Sequence, residues 1–134
     1  MNKNVLFLIK PKCNVEYIED DFTVRQTLEK MDHHHYSAIP ILDKEGKYLG
    51  VLSEGDILWY CKHQDDFSIL NSEKIKISEV KRIRDYKSCN IDSNVDELIN
   101  IIFNQNFVPV VDYNNTFIGI VTRQDVLKEL YKNR

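Results

Sequence analysis

Ile39-Pro40-Ile41-Leu42-Asp43 and Val108-Pro109-Val110-Val111-Asp112 are one pattern written twice. So are Tyr48-Leu49-Gly50-Val51-Leu52-Ser53-Glu54-Gly55-Asp56-Ile57-Leu58 and Phe117-Ile118-Gly119-Ile120-Val121-Thr122-Arg123-Gln124-Asp125-Val126-Leu127. Both blocks recur at an offset of 69 residues, Pro40 to Pro109 and Gly50 to Gly119. A fixed offset of this kind marks a duplicated supersecondary unit. Upstream, Val24, Thr27, Leu28 and Met31 correspond to Val95, Leu98, Ile99 and Ile102 at an offset of 71. The difference falls between the first helix and the proline, in His33-His34-His35-Tyr36-Ser37-Ala38 against Asn104-Gln105-Asn106-Phe107.

Each copy reads in the same order. Val15-Glu16-Tyr17-Ile18 predicts a short strand, with Ile91 its weaker counterpart. The i, i+3, i+4, i+7 apolar spacing that follows predicts an amphipathic helix. Next comes a nearly continuous apolar strand with its proline, Pro40 or Pro109, expected at the start. Asp43-Lys44-Glu45-Gly46 and Asp112-Tyr113-Asn114-Asn115 are turn formers. A second apolar strand ends at Leu52 or Val121, and a second helix begins after Ser53 or Thr122. The unit is strand-helix-strand-strand-helix. Residues 62–77 are polar without a sustained period and read as a connector between repeats at 5–61 and 78–132.

The chain has 134 residues, 43 % of them hydrophobic, enough to bury a core in one compact domain or two small repeats. Charged residues make up 29 % and the net charge is −3, so no basic balance points to nucleic acid or an anionic membrane. No apolar run reaches the roughly 18 residues a membrane span needs. Val5-Leu6-Phe7-Leu8-Ile9 falls short of a signal peptide core of about 7–15 residues. Cys13, Cys61 and Cys89 are odd in number and far apart, which suits a reducing compartment. A cytoplasmic location is expected.

This order resembles the CBS domain, and the paired copies resemble a Bateman module. The resemblance rests on Ala38-Ile39-Pro40-Ile41-Leu42-Asp43 with Gly50 through Asp56, and on Phe107-Val108-Pro109-Val110-Val111-Asp112 with Gly119 through Asp125. One G-h-h-[ST]-x-x-D motif is weak evidence; two copies at the same distance after a proline-bearing strand are strong. The resemblance implies an α/β (α+β) fold, two tandem units packed pseudo-symmetrically with their strands meeting at a central cleft. The second half is also similar to stand-alone two-CBS proteins that bind cyclic di-AMP.

Ser53-x-x-Asp56 and Thr122-x-x-Asp125 have two readings. A Ser or Thr followed three residues on by an acid is a capping pattern, worth about 1 kcal/mol. The same junction presents free N–H groups and a positive helix end to an anion. There the hydroxyl can donate to phosphate and the carboxylate can accept from two vicinal ribose hydroxyls. In CBS proteins the matching positions contact adenosine ligands. Arg123 follows Thr122 and suits phosphate, being planar and always charged. Glu54 stands at that place in repeat one and repels it, so Thr122/Arg123/Asp125 ranks above Ser53/Asp56. The resemblance further implies apolar slots for adenine at Ile39-Pro40 and Val108-Pro109. Small Ala38 would permit close backbone approach, and Tyr17 and Ile18 would form a wall.

His33-His34-His35 reads as a polar helix end, because adjacent residues share no helix face and no carboxylate or cysteine cluster completes a metal shell. No GxxxxGK[ST], GxSxG or HExxH is present, so no enzyme activity is expected. The expectation is a regulatory sensor. Its ligand is an adenine nucleotide (AMP, ADP, ATP or cyclic di-AMP), with no tightly bound cofactor and a separate effector protein. The rival reading is an interaction module with vestigial sites. A homodimer is expected from helix faces at Leu28, Met31, Ile57 and Leu58, at Ile99, Ile102, Phe103, Val126, Leu127 and Leu130, and from Trp59 and Tyr60.

Overall fold

The computed structural model describes residues 3–64 and 71–132. In chain order its elements are β1 (Lys10–Pro11), β2 (Ile18–Glu19), α1 (Val24–His34), β3 (Ala38–Leu42), β4 (Tyr48–Ser53), α2 (Glu54–Lys62), β5 (Cys89–Asn90), α3 (Ile99–Ile102), β6 (Phe107–Val111), β7 (Phe117–Thr122) and α4 (Arg123–Lys132). The described residues divide into two compact units. The first draws on 17–45 and 49–85, the second on 3–16, 46–48 and 86–132. Residues 65–70 of the expected connector lie outside the described residues; Asn71–Lys74 and Ile77–Glu79 form 3₁₀ turns.

The first unit holds a three-stranded sheet in the order β2-β3-β4. β2 runs parallel to β3, with Ile18 opposite Ile41. The step from β2 to β3 passes through α1, as a parallel crossover requires. Thr23 fixes the start of α1: its hydroxyl accepts from Gln26 N at 3.1 Å and its own N–H donates to Gln26 Oε1 at 2.8 Å. This reciprocal cap satisfies two donors that a helix start leaves open. Val24, Thr27 and Met31 turn inward. The helix ends in His33 and His34, with His35 in the left-handed region at φ 57°. Ile18, Val24, Ile39 and Leu52 are fully buried together in the core.

The second unit holds a four-stranded sheet in the order β1-β7-β6-β5. β5 runs parallel to β6, and β6 antiparallel to β7 with Val108 opposite Val121. The β6–β7 turn is closed by Asp112, whose Oδ1 accepts from Asn114 N and Thr116 N, both at 2.9 Å. These bonds, Thr116's first, lower the Asp112 pKa. Asn115 supplies the left-handed residue at φ 62°. Val5, Val95, Leu98, Val108, Val121 and Val126 form the fully buried core.

Several sequence expectations shift. The first strand is Ile18–Glu19, not Val15–Ile18, because Val15 N closes a 3₁₀ turn on Lys12 O. Its counterpart is Cys89–Asn90, just before Ile91. Pro40 and Pro109 sit at the centre of their strands, not the start. For Pro109 the parallel partner β5 reaches only Val110 and Val111, so the proline stands beyond the end of that ladder. The helix expected from Val95 begins as a 3₁₀ turn over Val95–Leu98, since Asn94 makes no side-chain cap. Of the helix residues expected to face outward, Met31, Ile57, Ile102 and Val126 are buried. Leu58, Trp59, Phe103 and Leu127 are exposed. Leu28, Tyr60, Ile99 and Leu130 are half-buried. Among the described residues no helix is long and apolar enough to cross a membrane.

The edge strand β1 runs antiparallel to β7, with Lys10 opposite Ile120 and Pro11 opposite Gly119. An edge tolerates Pro11, which has no N–H to give. Gly119 lets the strand approach: a Cβ there would collide with the Lys10 carbonyl and meet Ile9 side-chain carbons at 3.0 and 3.1 Å. Gly119→Ala is therefore expected to destabilise the chain by about 2 kcal/mol, the scale of overpacking. Urea unfolding measures it, and an unchanged midpoint would show that β1 does not hold this register.

Candidate functional site

In each repeat a strand runs straight into a helix, β4 into α2 and β7 into α4. That junction gathers the S/T-x-x-D residues. Ser53 is the N-cap of α2 in extended backbone (φ −102°, ψ 160°). Its Oγ accepts from Asp56 N at 3.1 Å, and Asp56 Oδ2 accepts from Ser53 N at 3.0 Å. The other carboxylate oxygen accepts from Ile83 N at 2.8 Å. Asp56 is 3 % exposed, so both oxygens are committed inside the fold.

Repeat two makes half of this arrangement. Thr122 Oγ1 accepts from Asp125 N at 3.1 Å. The Asp125 carboxylate accepts no hydrogen bond among the described residues, and the residue is half-buried. Accepting through Oγ1 leaves the Thr122 hydroxyl proton available to donate. The pairing of Phe107 with Thr122 and Val108 with Val121 brings the start of β6 beside this junction. Arg123 N donates to Asn106 O at 2.8 Å, as Glu54 N donates to Ser37 O at 2.9 Å in repeat one.

Arg123 was readable as a phosphate ligand or as a solvated first-turn residue. Its Nε instead donates to Ile102 O at 2.8 Å, closing the C-terminal end of α3. That bond explains an arginine at a helix start, where the dipole opposes it. The Nη groups remain for other partners. An open groove beside α4 is lined by Thr122, Arg123, Leu127, Lys128, Tyr131 and Lys132.

The slot residues of repeat one, Ala38, Ile39 and Pro40, are all buried in β3. Ile18 is fully buried in the same core as Ile39. Tyr17 is half-buried; its carbonyl accepts from Lys30 Nζ at 2.5 Å, and that ammonium lies 5.5 Å from its ring. Val108 and Pro109 are buried in β6. The first unit thus brings together Tyr17, Ile18, Ala38, Ile39, Pro40, Ser53 and Asp56. Thr122, Arg123, Asp125, Val108 and Pro109 belong to the second.

Sequence reasoning missed the segment that closes repeat one. Asp85 Oδ1 accepts from Val51 N at 2.9 Å, and Arg82 Nε donates to Asp85 Oδ2 at 2.8 Å. Both side chains fit because Gly50, at φ +153°, has no Cβ; one there would meet the Asp85 carboxylate at 2.7 and 2.8 Å. The available signal was the pair Arg82 and Asp85 three residues apart in an otherwise patternless stretch. Among the described residues no group of three or more His, Cys, Asp or Glu could hold a metal. Cys13 is exposed, Cys61 half-buried and Cys89 buried.

Two expectations follow from this chemistry. Asp56→Ala strips Ser53 N and Ile83 N of their acceptor and should cost about 2–3 kcal/mol. Asp125→Ala, removing only a first-turn charge, should cost under about 1 kcal/mol in urea unfolding. Burial, then the charge of Glu97, raises the Cys89 thiol from 9.0 to about 12. The fold favours the neutral thiol, so this contribution is intact below pH 9 and is lost as pH rises from 9 toward 12. Wild-type stability should fall more steeply than that of Cys89→Ala across that window, and identical slopes would contradict it.

The chain matches the CBS domain over residues 1–63 and 77–132. Among solved structures it is similar to a hypothetical conserved protein of Geobacillus kaustophilus, at 26 % identity and TM-score 0.87 with both chains covered over 100 %. It is also similar to the CbpB protein of Listeria monocytogenes in complex with c-di-AMP, at 25 % identity and TM-score 0.83, covering 96 % of each chain. An uncharacterized protein of Methanocaldococcus jannaschii is 32 % identical over 125 residues, 92 % of this chain and 36 % of that protein. Of two further curated relatives the chain spans 12 % and 21 % of the length. With both repeats matched, the duplicated β-α-β-β-α unit and its strand-to-helix S/T-x-x-D junctions place the chain in the CBS domain family.

Proposed function

We propose that the protein is a regulatory module that senses an adenine nucleotide through repeat two and passes its occupancy to a separate effector protein. In this reading the domain organisation is repeats at 5–61 and 78–132 with a connector at 62–77. The protein is not an enzyme, and the nucleotide is a regulatory ligand, not a tightly held cofactor. It works in the cytoplasm as a homodimer, without nucleic acid or membrane.

One observation carries the choice of repeat. The Asp125 carboxylate has no hydrogen-bond partner among the described residues, whereas the Asp56 carboxylate accepts from Ser53 N and Ile83 N. A ribose diol needs a free acceptor, and repeat two has one. Asp125 holds the ribose, the Thr122 hydroxyl donates to phosphate, and the Arg123 Nη groups supply positive charge. Val108 and Pro109 wall the adenine. Ser53 and Asp56, with Tyr17, Ile18, Ala38, Ile39 and Pro40, form a weaker second site that a ligand must compete to enter. The engaged Asp56 and the repulsive Glu54 favour a vestigial role for that copy. The similar Listeria protein was solved with c-di-AMP, which supports a phosphate-bearing adenine ligand: AMP, ADP, ATP or cyclic di-AMP. S-adenosylmethionine, which lacks phosphate, gains little from Arg123.

A thermal-shift panel of these nucleotides, followed by calorimetry on the best, tests the reading. Asp125→Ala should weaken binding at least about tenfold, the loss of roughly 1.4 kcal/mol or more, and Asp56→Ala much less. Arg123→Ala should hurt phosphorylated ligands far more than adenosine. No shift with any nucleotide at millimolar concentration would leave the interaction-module reading in its place.

A further inference from the structure

Gly50 and Gly119 are equivalent glycines, 69 residues apart, and each has another stretch of chain where its Cβ would stand. At Gly119 that stretch is a strand: β1 pairs with β7 through Lys10 and Pro11. At Gly50 it is a pair of side chains. A Cβ there would meet the Asp85 carboxylate at 2.7 and 2.8 Å and Arg82 Nε at 2.9 Å. Asp85 Oδ1 accepts from Val51 N at 2.9 Å, and Arg82 Nη2 donates to Leu49 O at 3.4 Å. Ile83, between these two side chains, donates its N–H to Asp56 Oδ1 at 2.8 Å. Asp125 meets no such amide among the described residues.

A carboxylate oxygen has room for a second hydrogen bond, so the Ile83 N–H alone does not exhaust Asp56. Access does: Asp56 is 3 % exposed, too little for an outside donor to reach it without a movement of its cover. Asp56 and Ile83 line one open cavity of the first unit, so the way to the carboxylate runs past Ile83. That cover is weakly held. Between buried Val80 and Asp85 the chain forms no helix or strand, and Lys81, Ile83, Arg84 and Asp85 are exposed. The Arg82–Asp85 pair that pins it has side chains 30 % and 43 % exposed, and ion pairs at such exposure hold weakly. Segments with few buried apolar contacts open more readily than the core around them.

We infer that residues 82–85 are an autoinhibitory latch on repeat one. Closed, the Ile83 N–H stands where a ligand hydroxyl would donate to Asp56, and Asp85 on Val51 N pins it there. Open, the carboxylate is offered to a vicinal diol. Glu54 repels phosphate at this junction, so the ligand class that gains from opening is an uncharged nucleoside bearing that diol. Its apparent affinity is reduced by the fraction of chains that are open. The inference rests on the ribose-diol reading proposed above and adds what controls the repeat-one site.

Calorimetric titration of the full chain with adenosine tests it, in an Asp125→Ala background that removes the repeat-two acceptor. Adding Asp85→Ala should tighten adenosine binding at least about fivefold, because apparent affinity rises with the open fraction. 2′-Deoxyadenosine, which lacks the diol, should gain nothing, and a further Asp56→Ala should erase the gain. Without ligand, the Ile83 amide should lose hydrogen-exchange protection in Asp85→Ala. The emission of Trp59, the one tryptophan of the sequence and a lining residue of the same cavity, should shift with it. Circular dichroism checks each fold. If Asp85→Ala does not fold, Arg82→Ala, which frees Asp85 but leaves it on Val51 N, should move every readout in the same direction by less. An Ile83 amide that deprotects while adenosine binding stays unchanged makes repeat one vestigial and overturns the latch alone. An Ile83 amide as protected as in wild type overturns it as well. Failure of wild type and every variant to bind adenosine or any nucleotide overturns the nucleotide reading and the latch together.

Discussion

Both repeats depend on how the chain satisfies the backbone donors where a strand becomes a helix. The first turn of a helix leaves several N–H groups without intrahelical partners, and leaving them bare inside a fold is costly. Ser53 and Thr122 meet that need with the same hydroxyl-to-amide bond at the same distance, 3.1 Å. What differs is the acid one turn in. Asp56 returns the bond to Ser53 N and takes a second from Ile83 N, so α2 is closed by its own chain. Asp125 returns nothing, and α4 keeps a carboxylate in reserve.

A duplicated unit therefore need not have duplicated chemistry. The stretch Arg82–Asp85 shows how the two copies part. Arg82 steers Asp85 onto Val51 N, and Ile83 reaches Asp56 from the same short run of backbone. Three ordinary hydrogen bonds tie this stretch to β4 and to Asp56 while the cap, and the stability it brings, is kept. In repeat two, Arg123 serves the neighbouring helix end through one nitrogen and leaves the others uncommitted.

The duplication was legible because the signals behind it are local and repeated: apolar periodicity, turn residues, and hydroxyl-to-acid spacing. Asp112 and Asn115 form the turn their residue types demand. Ser53 and Thr122 stand where caps must stand. The element bounds were less legible. Pro40 and Pro109 look like strand starters, yet a short parallel neighbour lets Pro109 sit mid-strand. Val95 carries the same spacing as Val24 but lacks a capping Thr, and its first turn tightens. At the site, sequence ranked the Asp125 copy above the Asp56 copy on the charge of Arg123 against Glu54. The structure shows a separate difference between the copies, the Ile83 amide on Asp56. No local pattern could give that, because the bond joins residues 27 positions apart.

The pairing of β1 with β7 has a consequence for how the chain comes into being. Lys10 and Pro11 are made more than a hundred residues before their partners Ile120 and Gly119. At about 5–20 residues per second, Lys10 waits several seconds before its strand exists to be joined. Until β7 is made, residues 10–11 have no sheet edge to join, and Val5, fully buried in the finished core, has no core to enter. The first unit's β2-β3-β4 sheet can be assembled from residues already emerged. Folding on the ribosome should thus run in an order that the two similar repeats do not suggest, with the second unit sealed only after Gly119 and Ile120 have emerged.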